Sequence, residues 1–503
     1  MKVDVLIVGA GPVGLLCAFL ARKCGLTVWI ADKSSGPLRT GRADALNARS
    51  LQLLELAGLF PALYPLGKPC NTSSVWADGR FVSRQSEWWE GLQGCFHKHF
   101  LMLGQAAIEQ LLDREIADMN AAVQRDTSIR DIRFTRDGCL ASLSSGQAIE
   151  SRFIIGADGS RSFVRSSFDI PFQITRPRLT WAVLDGVIHT DFPKVPEIIV
   201  FQADTSDVAW IPREGEIDRF YVRMDRDTFS IDEAVAKINR AMCPHTLRFT
   251  RIEWFSQFSV KESVAESYAV RDRVYLVGDA CHVHSVNGGM GLNTGLADAF
   301  NLIWKIHQVV RFSSAAALLQ TYQQERQPVA LGVVETSAAL VRSTAHSAQG
   351  THASDYVRLV ERNAGYITGM GVRYAECGID GSRLFDFTVC MPDGLLHGNS
   401  LPARTRIYAL LDYRFFTLIV FGDAEVPLSL PSFVRRIKIH DTPQGEFART
   451  DDCPYRDQIL LVRPDSYIAC SANASDSSPI ARYLESLQPN PVADGRPFDI
   501  QPS

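Results

Sequence analysis

Three glycine-rich turns hold the residues whose types and spacing can do chemistry. Gly9-Ala10-Gly11-Pro12-Val13-Gly14 follows the apolar run Val3 to Val8, and Gly156-Ala157-Asp158-Gly159-Ser160-Arg161-Ser162 follows Arg152 to Ile155. Gly278-Asp279-Ala280 follows Arg273 to Val277 and leads on to Asn287-Gly288-Gly289-Met290-Gly291-Leu292-Asn293. In the first turn Gly9 permits a tight strand-to-helix bend, Gly11 lets backbone approach a pyrophosphate, and Gly14 allows close packing of helix on strand. The helix that Pro12 and Val13 open offers free N–H groups and partial positive charge to phosphate. Asp32, which ends the next strand 23 positions after Gly9, can take ribose hydroxyls, with Lys33 beside it. A bare G-x-G-x-x-G is a weak signal, but here a strand precedes it and a helix and an acidic strand end follow. In the third turn Asp279 can accept a ribityl hydroxyl. The backbone of Gly289, Met290, Gly291, Leu292 and Asn293, with the following helix dipole, can stabilise negative charge on a reduced flavin ring. In the second, Asp158 can contact the flavin or its neighbours, and Arg161 and Arg165 can meet the phosphates of a nicotinamide cofactor. Cys281-His282-Val283-His284 has no second ligand group visible in sequence, so no metal is expected.

The elements that must position these turns are legible around them. Val3 to Val8, Leu15 to Lys23 and Thr27 to Ala31 predict a strand-helix-strand unit. The strands ending at Gly156 and Gly278 lie far along the chain, so the parallel sheet that presents its carboxyl edge to a ligand must be discontinuous. Thr180 to Ile188, Glu197 to Phe201, Val208 to Ile211, Arg219 to Arg223 and Leu247 to Phe255 alternate and are rich in β-branched residues. They predict an inserted antiparallel sheet able to wall a substrate pocket. A helix is expected over Thr294 to Ile306 and another over Val329 to Val341, after Pro328. From about residue 385, Arg406 to Leu411, Phe415 to Phe421, Arg436 to His440 and Gln458 to Val462 predict the strands of a separate C-terminal α/β domain.

At 503 residues the chain is too long for one core and suits a multidomain enzyme. A formal net charge of −4 gives no electrostatic reason to expect nucleic acid. No run approaches roughly 18 uninterrupted apolar residues, so no transmembrane segment is expected. The strand starting at Val3 leaves no room for a secretory leader. The eleven cysteines contain no C-x-x-C pair, which argues against a zinc framework or disulfide scaffold and for a reducing, cytoplasmic setting.

The three turns, in this order and spacing, resemble the class A flavoprotein monooxygenases, the single-component FAD-dependent aromatic hydroxylases. The likeness covers nearly the whole chain. Gly41-Arg42-Ala43-Asp44-Ala45-Leu46-Asn47-Ala48-Arg49-Ser50-Leu51 resembles that family's second flavin segment, in which Arg42 would sit against the dinucleotide phosphates. Leu103-Gly104-Gln105 with Ile108 to Leu112 resembles the helix whose Gln, here Gln105, touches the cofactor. Ile211-Pro212-Arg213-Glu214, Arg219-Phe220-Tyr221 and Leu461 to Ile468 resemble the phenol hydroxylase branch, which carries a C-terminal thioredoxin-like domain. Without C-x-x-C, that domain would be a structural appendage. The implied fold is α/β, with a Rossmann-type FAD-binding domain over 1–75, 100–168 and 265–345 and an antiparallel-sheet substrate domain over 76–99 and 169–264. A helical connector over 346–384 and the thioredoxin-like domain over 385–503 complete it.

The resemblance implies that NADPH or NADH reduces FAD, that the reduced flavin captures O2 as a flavin hydroperoxide, and that an electron-rich aromatic, phenolic or polyketide-like, is hydroxylated. Asp44 aligns with an active-site Asp of the branch and is the candidate for substrate positioning or proton handling, against a cofactor-side or surface role. Three positions depart from the pattern: Val286 replaces a proline and Met290 a glutamine found in many relatives, and Phe258 replaces the branch's tyrosine. Phe258 and Val286 are therefore pocket candidates, with Trp88, Trp89 and Phe96 as apolar ones. Epoxidation, Baeyer-Villiger insertion, a flavin oxidase and a non-catalytic flavin protein stay open as alternatives. The resemblance also implies a homodimer.

Overall fold

The computed structural model describes residues 1–174, 179–203, 206–260, 262–284, 288–344, 353–375, 378–390, 404–423, 426, 429–441, 447–473 and 475–488. Its first sheet draws on three distant parts of the chain. Lys2–Val8 pairs in parallel with Val28–Ala31 on one side and Ala148–Gly156 on the other, and Ala148–Gly156 pairs in parallel with Val274–Leu276. Val5, Leu6, Ile7, Phe153, Ile154 and Ile155 are all fully buried, as a parallel sheet covered on both faces requires. The helices Pro12–Lys23 and Met290–Phe312 pack together over this sheet. All three glycine turns leave its carboxyl edge, where open α/β sheets hold their ligands.

The second sheet runs in the order 247–260, 179–190, 218–224, 206–212, 198–203, 73–77 and 80–85. The five stretches read from the sequence as an inserted sheet are all strands in it. It is not wholly antiparallel, because Ile198–Ala203 pairs in parallel with Ser73–Ala77, donated by a much earlier segment. One face buries Leu184, Ile199, Phe201, Trp210, Phe220 and Val222 against the helix Ile231–Met242, whose first turn is closed by a Ser230–Glu233 capping box. The other face is left to wall a cavity.

Ala317–Thr344 is one helix with Pro328 inside it, not a second helix beginning after the proline. Pro328 lacks the N–H that would reach the Gln324 carbonyl, yet Leu318, Leu319, Tyr322, Val329, Ala330 and Val333 keep one stripe buried along the helix, and packing outweighs the lost bond. In the C-terminal sheet, of order 404–406, 388–390, 447–448, 434–440, 416–421, 458–462 and 468–473, the expected strand over Arg406 to Leu411 is largely a 3-10 turn, Ile407–Leu410. Ile407 and Tyr408 are both buried, which consecutive residues of a half-covered strand cannot be. A buried ion cluster fastens this sheet to the rest. Arg463 donates to both Glu325 oxygens at 2.8 Å and to Asp465 Oδ2 at 2.6 Å, while Lys305 Nζ donates to Glu325 Oε2 at 3.0 Å. Among the described residues no helix is long and apolar enough to cross a membrane.

Candidate active site

Gly9 has φ +102°, and a Cβ there would lie 2.4 Å from the Ala157 carbonyl oxygen, so the first and second turns meet only because this residue is glycine. Gly11 has nothing within 4 Å of where its Cβ would be, so the backbone there faces open space. The helix begins at Pro12 with no side-chain cap and no acidic residue in its first turn, and its leading N–H groups are available to an anion. Asp32 holds the rim: Ala10 N donates to Oδ2 at 2.6 Å and Ser34 N to Oδ1 at 2.7 Å. Lys33 is exposed beside it. Val13 wedges against Gly278 and Gly295, which fixes the first turn against the third. These features fit the pyrophosphate and ribose of a dinucleotide.

Asp279 lies on the 3-10 turn Gly278–Ala280, with an exposed carboxylate and no hydrogen bond among the described residues. The surrounding protein raises its pKa by desolvation, while His282 and Arg42 pull it down. Such a group suits a sugar-alcohol hydroxyl. Arg42 is itself exposed and left-handed, at φ 67°. The helix Met290–Phe312 starts after left-handed Gly289 with no side-chain cap, so a second set of free N–H groups faces the cleft. Gly291 and Leu292 remain partly open on its first turn, while Met290 packs inward with Val329, Val333 and Leu340.

Several residues read as ligand contacts from sequence are occupied by the protein itself. Ser162 Oγ, Phe163 N and Val164 N all donate to the Asp158 carboxylate, so Asp158 braces the first turn of the short 163–167 helix, whose cap is Ser162. Arg165 donates to the Ala280 and Ser160 carbonyls and stacks on Phe172, which joins the second turn to the third and leaves no guanidinium face for a phosphate. Gln105 accepts from Ala43 N at 3.3 Å and donates to Glu109 Oε1 at 2.8 Å, so it braces the loop carrying Arg42 and Asp44. Asn293 accepts from Asn47 N at 2.9 Å and donates to Ala45 O and Gly289 O at 3.0 and 2.7 Å, clamping the same loop to the glycine turn. Arg161, by contrast, is exposed and unpaired among the described residues.

Cys281, His282 and Asp298 bring metal-ligand atoms within 4.8 Å of one another. Asp298 is already engaged, with His282 Nε2 at 2.7 Å and Arg326 Nε donating at 2.7 Å. Burial alone would raise the Asp298 pKa, but His282 and Arg326 outweigh it and hold it below its ordinary value. Asp298, paired with Arg326 and hydrogen-bonded with His282, anchors the third turn.

Opposite Gly288 and Gly289 the free face of the second sheet walls a cavity of about 1360 Å³, its open mouth included. At one end stand Asp44 and Tyr221. Tyr221 Oη donates to Asp44 Oδ2 at 3.3 Å, and Arg219, fully buried, approaches the same oxygen at 3.5 Å and donates to Tyr221 Oη at 3.1 Å. Asp185 grips Arg219 from behind with bonds of 2.5 and 2.6 Å, and Arg219 also donates to the Arg42 carbonyl. Burial would lower the Arg219 pKa, but Tyr221, Asp44 and Asp185 hold it well above normal. Burial first, then the Asp44 charge, push the Tyr221 phenol far up, with Arg219 opposing, so Tyr221 stays a donor. Trp181 adds a buried indole N–H with no hydrogen-bond partner among the described residues. Trp89 lines the cavity, whereas Phe96 does not: it is 60% exposed and lies under Arg406. The side chains of Trp88 and Phe258 and all of Val286 lie outside the described residues. A phenol hydroxyl does face the cavity, from another strand than that of Phe258, at Tyr221.

A dinucleotide cradle at the edge of a parallel sheet, opening onto an aromatic-sized cavity with an acid–phenol pair, defines a flavoprotein oxidoreductase. The chain belongs to the FAD binding domain family, whose model matches residues 2–337, and is a class A flavoprotein monooxygenase. It is 27% identical over 482 residues to the FAD-dependent monooxygenase ankC of Aspergillus thermomutatus, covering 86% of this chain and 80% of that protein. It is 28% identical over 473 residues to the phenol 2-monooxygenase fsqG of Aspergillus fumigatus, covering 86% and 78%. Among solved structures, the OxyS anhydrotetracycline hydroxylase from Streptomyces rimosus superposes with a TM-score of 0.76 at 25% identity, over 97% of this chain and 99% of that one.

Proposed function

We propose that the chain oxygenates a phenolic, multi-ring aromatic held with its hydroxyl against Asp44 and Tyr221, at the expense of NADPH or NADH and O2. The observation that carries this is the Asp44–Tyr221–Arg219 set at the cavity end nearest the cofactor turn. Bound FAD supplies the passage of two electrons from the nicotinamide to dioxygen. The protein's part is positioning and proton handling. Asp44, whose carboxylate lies beside Arg219, accepts the substrate's O–H hydrogen bond, which raises electron density on the ring carbons ortho and para to it. Tyr221, kept protonated, donates to Asp44 or to the substrate oxygen and fixes its direction. The apolar walls Val75, Val200, Ile211, Met102 and Leu340 hold the ring and exclude water. Gly9, Gly11, Gly14 and Asp32 hold the adenosine diphosphate half of FAD, Arg42 its phosphates and Asp279 its ribityl chain. The uncapped amino end of the 290–312 helix would offer its N–H groups to negative charge on the bound ring. Arg161, exposed and without a partner among the described residues, receives a nicotinamide-cofactor phosphate, and the 385–503 unit serves as a structural appendage. That OxyS is a hydroxylase of anhydrotetracycline, and that the cavity is long, favour a fused-ring substrate over simple phenol.

A panel of mono- and polycyclic phenols, scored for stimulation of NADPH oxidation and for a product heavier by one oxygen, tests this reading. Stimulation by polycyclic phenols with oxygenated product is expected. Oxidation of NADPH that no aromatic accelerates would refute it.

A further inference from the structure

We infer that the cavity has a second, neutral hydrogen-bonding subsite at its far end, formed by Ser83, Gln85 and Ser73, which grips a carbonyl or hydroxyl on the substrate ring most distant from Asp44 and Tyr221. This rests on the reading of the cavity as the aromatic site. Strand register carries it. Tyr221 is paired with Ala209, Ala209 with Val200, Val200 with Val75 and Val75 with Ser83, and all five line the cavity. They form one row on one face of the sheet. Four inter-strand steps of ~4.8 Å put Ser83 about 19 Å from Tyr221 along the sheet. The next row repeats the pattern, with Ile198 paired to Ser73 and Ser73 to Gln85, all lining the cavity.

The wall is therefore polar at both ends and apolar between. Ala209, Val200 and Val75 fill the middle of the row, and Phe100, Met102, Leu340 and Ile367 are other apolar walls. A single phenolic ring at Tyr221 would leave the far end empty, whereas several fused rings would reach it. At that end Ser83 Oγ is buried without a hydrogen-bond partner among the described residues. Buried hydroxyls are rarely left so, and the usual reason is a partner that arrives with a ligand or water. The Gln85 and Ser73 side chains, half-buried beside it, also make no hydrogen bond among the described residues. The chemical class of the group follows from the lining: no Lys, Arg or His is among the described residues that line the cavity. A carboxylate or phosphate would be buried without a counter-charge, whereas a ketone or hydroxyl needs only the donors present.

The test titrates the FAD-loaded enzyme with a linear tetracyclic phenol bearing a ketone on its far ring and with the methylene analogue, read as the change in flavin absorbance. Wild type is expected to bind the ketone about three- to tenfold more tightly than the methylene compound. Ser83→Ala and Gln85→Leu are each expected to move that ratio toward one, an internal comparison that variation in protein folding does not affect. Equal binding of the two compounds by wild type, a ratio unchanged in both variants, or no perturbation by either compound overturns the subsite. Turnover with a single-ring phenol, followed in parallel, separates the two claims. Oxygenated product with a wild-type ratio of one sinks only the subsite. A ratio that holds in wild type and collapses in the variants, with no oxygenated product from any aromatic, sinks only the functional reading.

Discussion

Replacing Asp44 by Asn removes the anionic group that faces the cavity beside Tyr221, and the structure separates its effect on activity from its effect on folding. Asp44 is 5% exposed, and its Oδ2 lies 3.3 Å from Tyr221 Oη and 3.5 Å from Arg219 Nη1. Both contacts are at the long end of useful geometry. Arg219 keeps its bidentate grip on Asp185, at 2.5 and 2.6 Å, so the change does not strand an unpaired buried cation. The stability cost is then on the order of 1 kcal/mol, the scale of one buried hydrogen bond, and not the roughly 3–5 kcal/mol of a broken buried ion pair. Asparagine retains an acceptor oxygen but no charge, so it cannot favour the electron-rich form of a phenol. Loss of a positioned acid–base group costs about 10²–10⁴-fold in rate. Asp44→Asn should accordingly keep its FAD content and a nearly native melting temperature while kcat/KM for oxygenated product falls by at least ~10²-fold. Product formation within about threefold of wild type, with flavin bound, would refute the role given to Asp44.

Tyr221→Phe leaves Asp44 and Arg219 in place and should cost less, about tenfold in kcat/KM, the scale of one hydrogen bond to a charged group, measured by product yield per NADPH consumed. Gly11→Val should fold, since open space surrounds that position, yet lose FAD affinity by more than ~10-fold. Gly9→Ala, facing the Ala157 carbonyl at 2.4 Å, should lower the melting temperature itself. Arg165 is held by the Ala280 and Ser160 carbonyls and takes no part in nicotinamide recognition on this account. Arg161→Ala should instead raise KM for NADPH several-fold with FAD content unchanged, read by steady-state kinetics at saturating aromatic. Glu325 is 4% exposed; burial alone would raise its carboxyl, but Arg463 and Lys305 outweigh burial and hold it at about 2, against an ordinary 4.5. A depressed carboxyl contributes stability that is fully present above its ordinary value and is lost as pH falls through about 2, here on the order of 3 kcal/mol. Glu325→Gln should therefore lower the urea midpoint at neutral pH and flatten the loss of stability between pH 4.5 and 2 in acid titrations.

The first glycine turn is legible in the sequence because the backbone geometry it needs is local. A backbone that must approach a pyrophosphate needs Gly9, Gly11 and Gly14 within six consecutive residues, and Asp32 follows at the end of the next strand. The inserted sheet is legible from alternation, but the last two strands at one edge, Ser73–Ala77 and Arg80–Gln85, are not. Ser73–Ala77 joins Ile198–Ala203 in parallel across more than a hundred residues, and no local pattern encodes that pairing. Asp44 is reached through resemblance alone. Tyr221 lies within a segment that the resemblance covers, yet sequence does not single it out. Phe220, Tyr221 and Val222 alternate between core and cavity, and only the register with Ala209 and Val183 says which side is which. Asp158 and Arg165 mislead in the opposite sense. A charge next to a glycine turn reads as a ligand contact, but the short helix and the neighbouring carbonyls absorb both groups.

The most direct test of the central claim supplies the FAD-loaded enzyme with NADPH, a polycyclic phenol and isotopically heavy dioxygen in ordinary water, and weighs the product. One heavy oxygen atom per product molecule is the predicted result. Product that gains no oxygen, or gains it from water, would contradict the account.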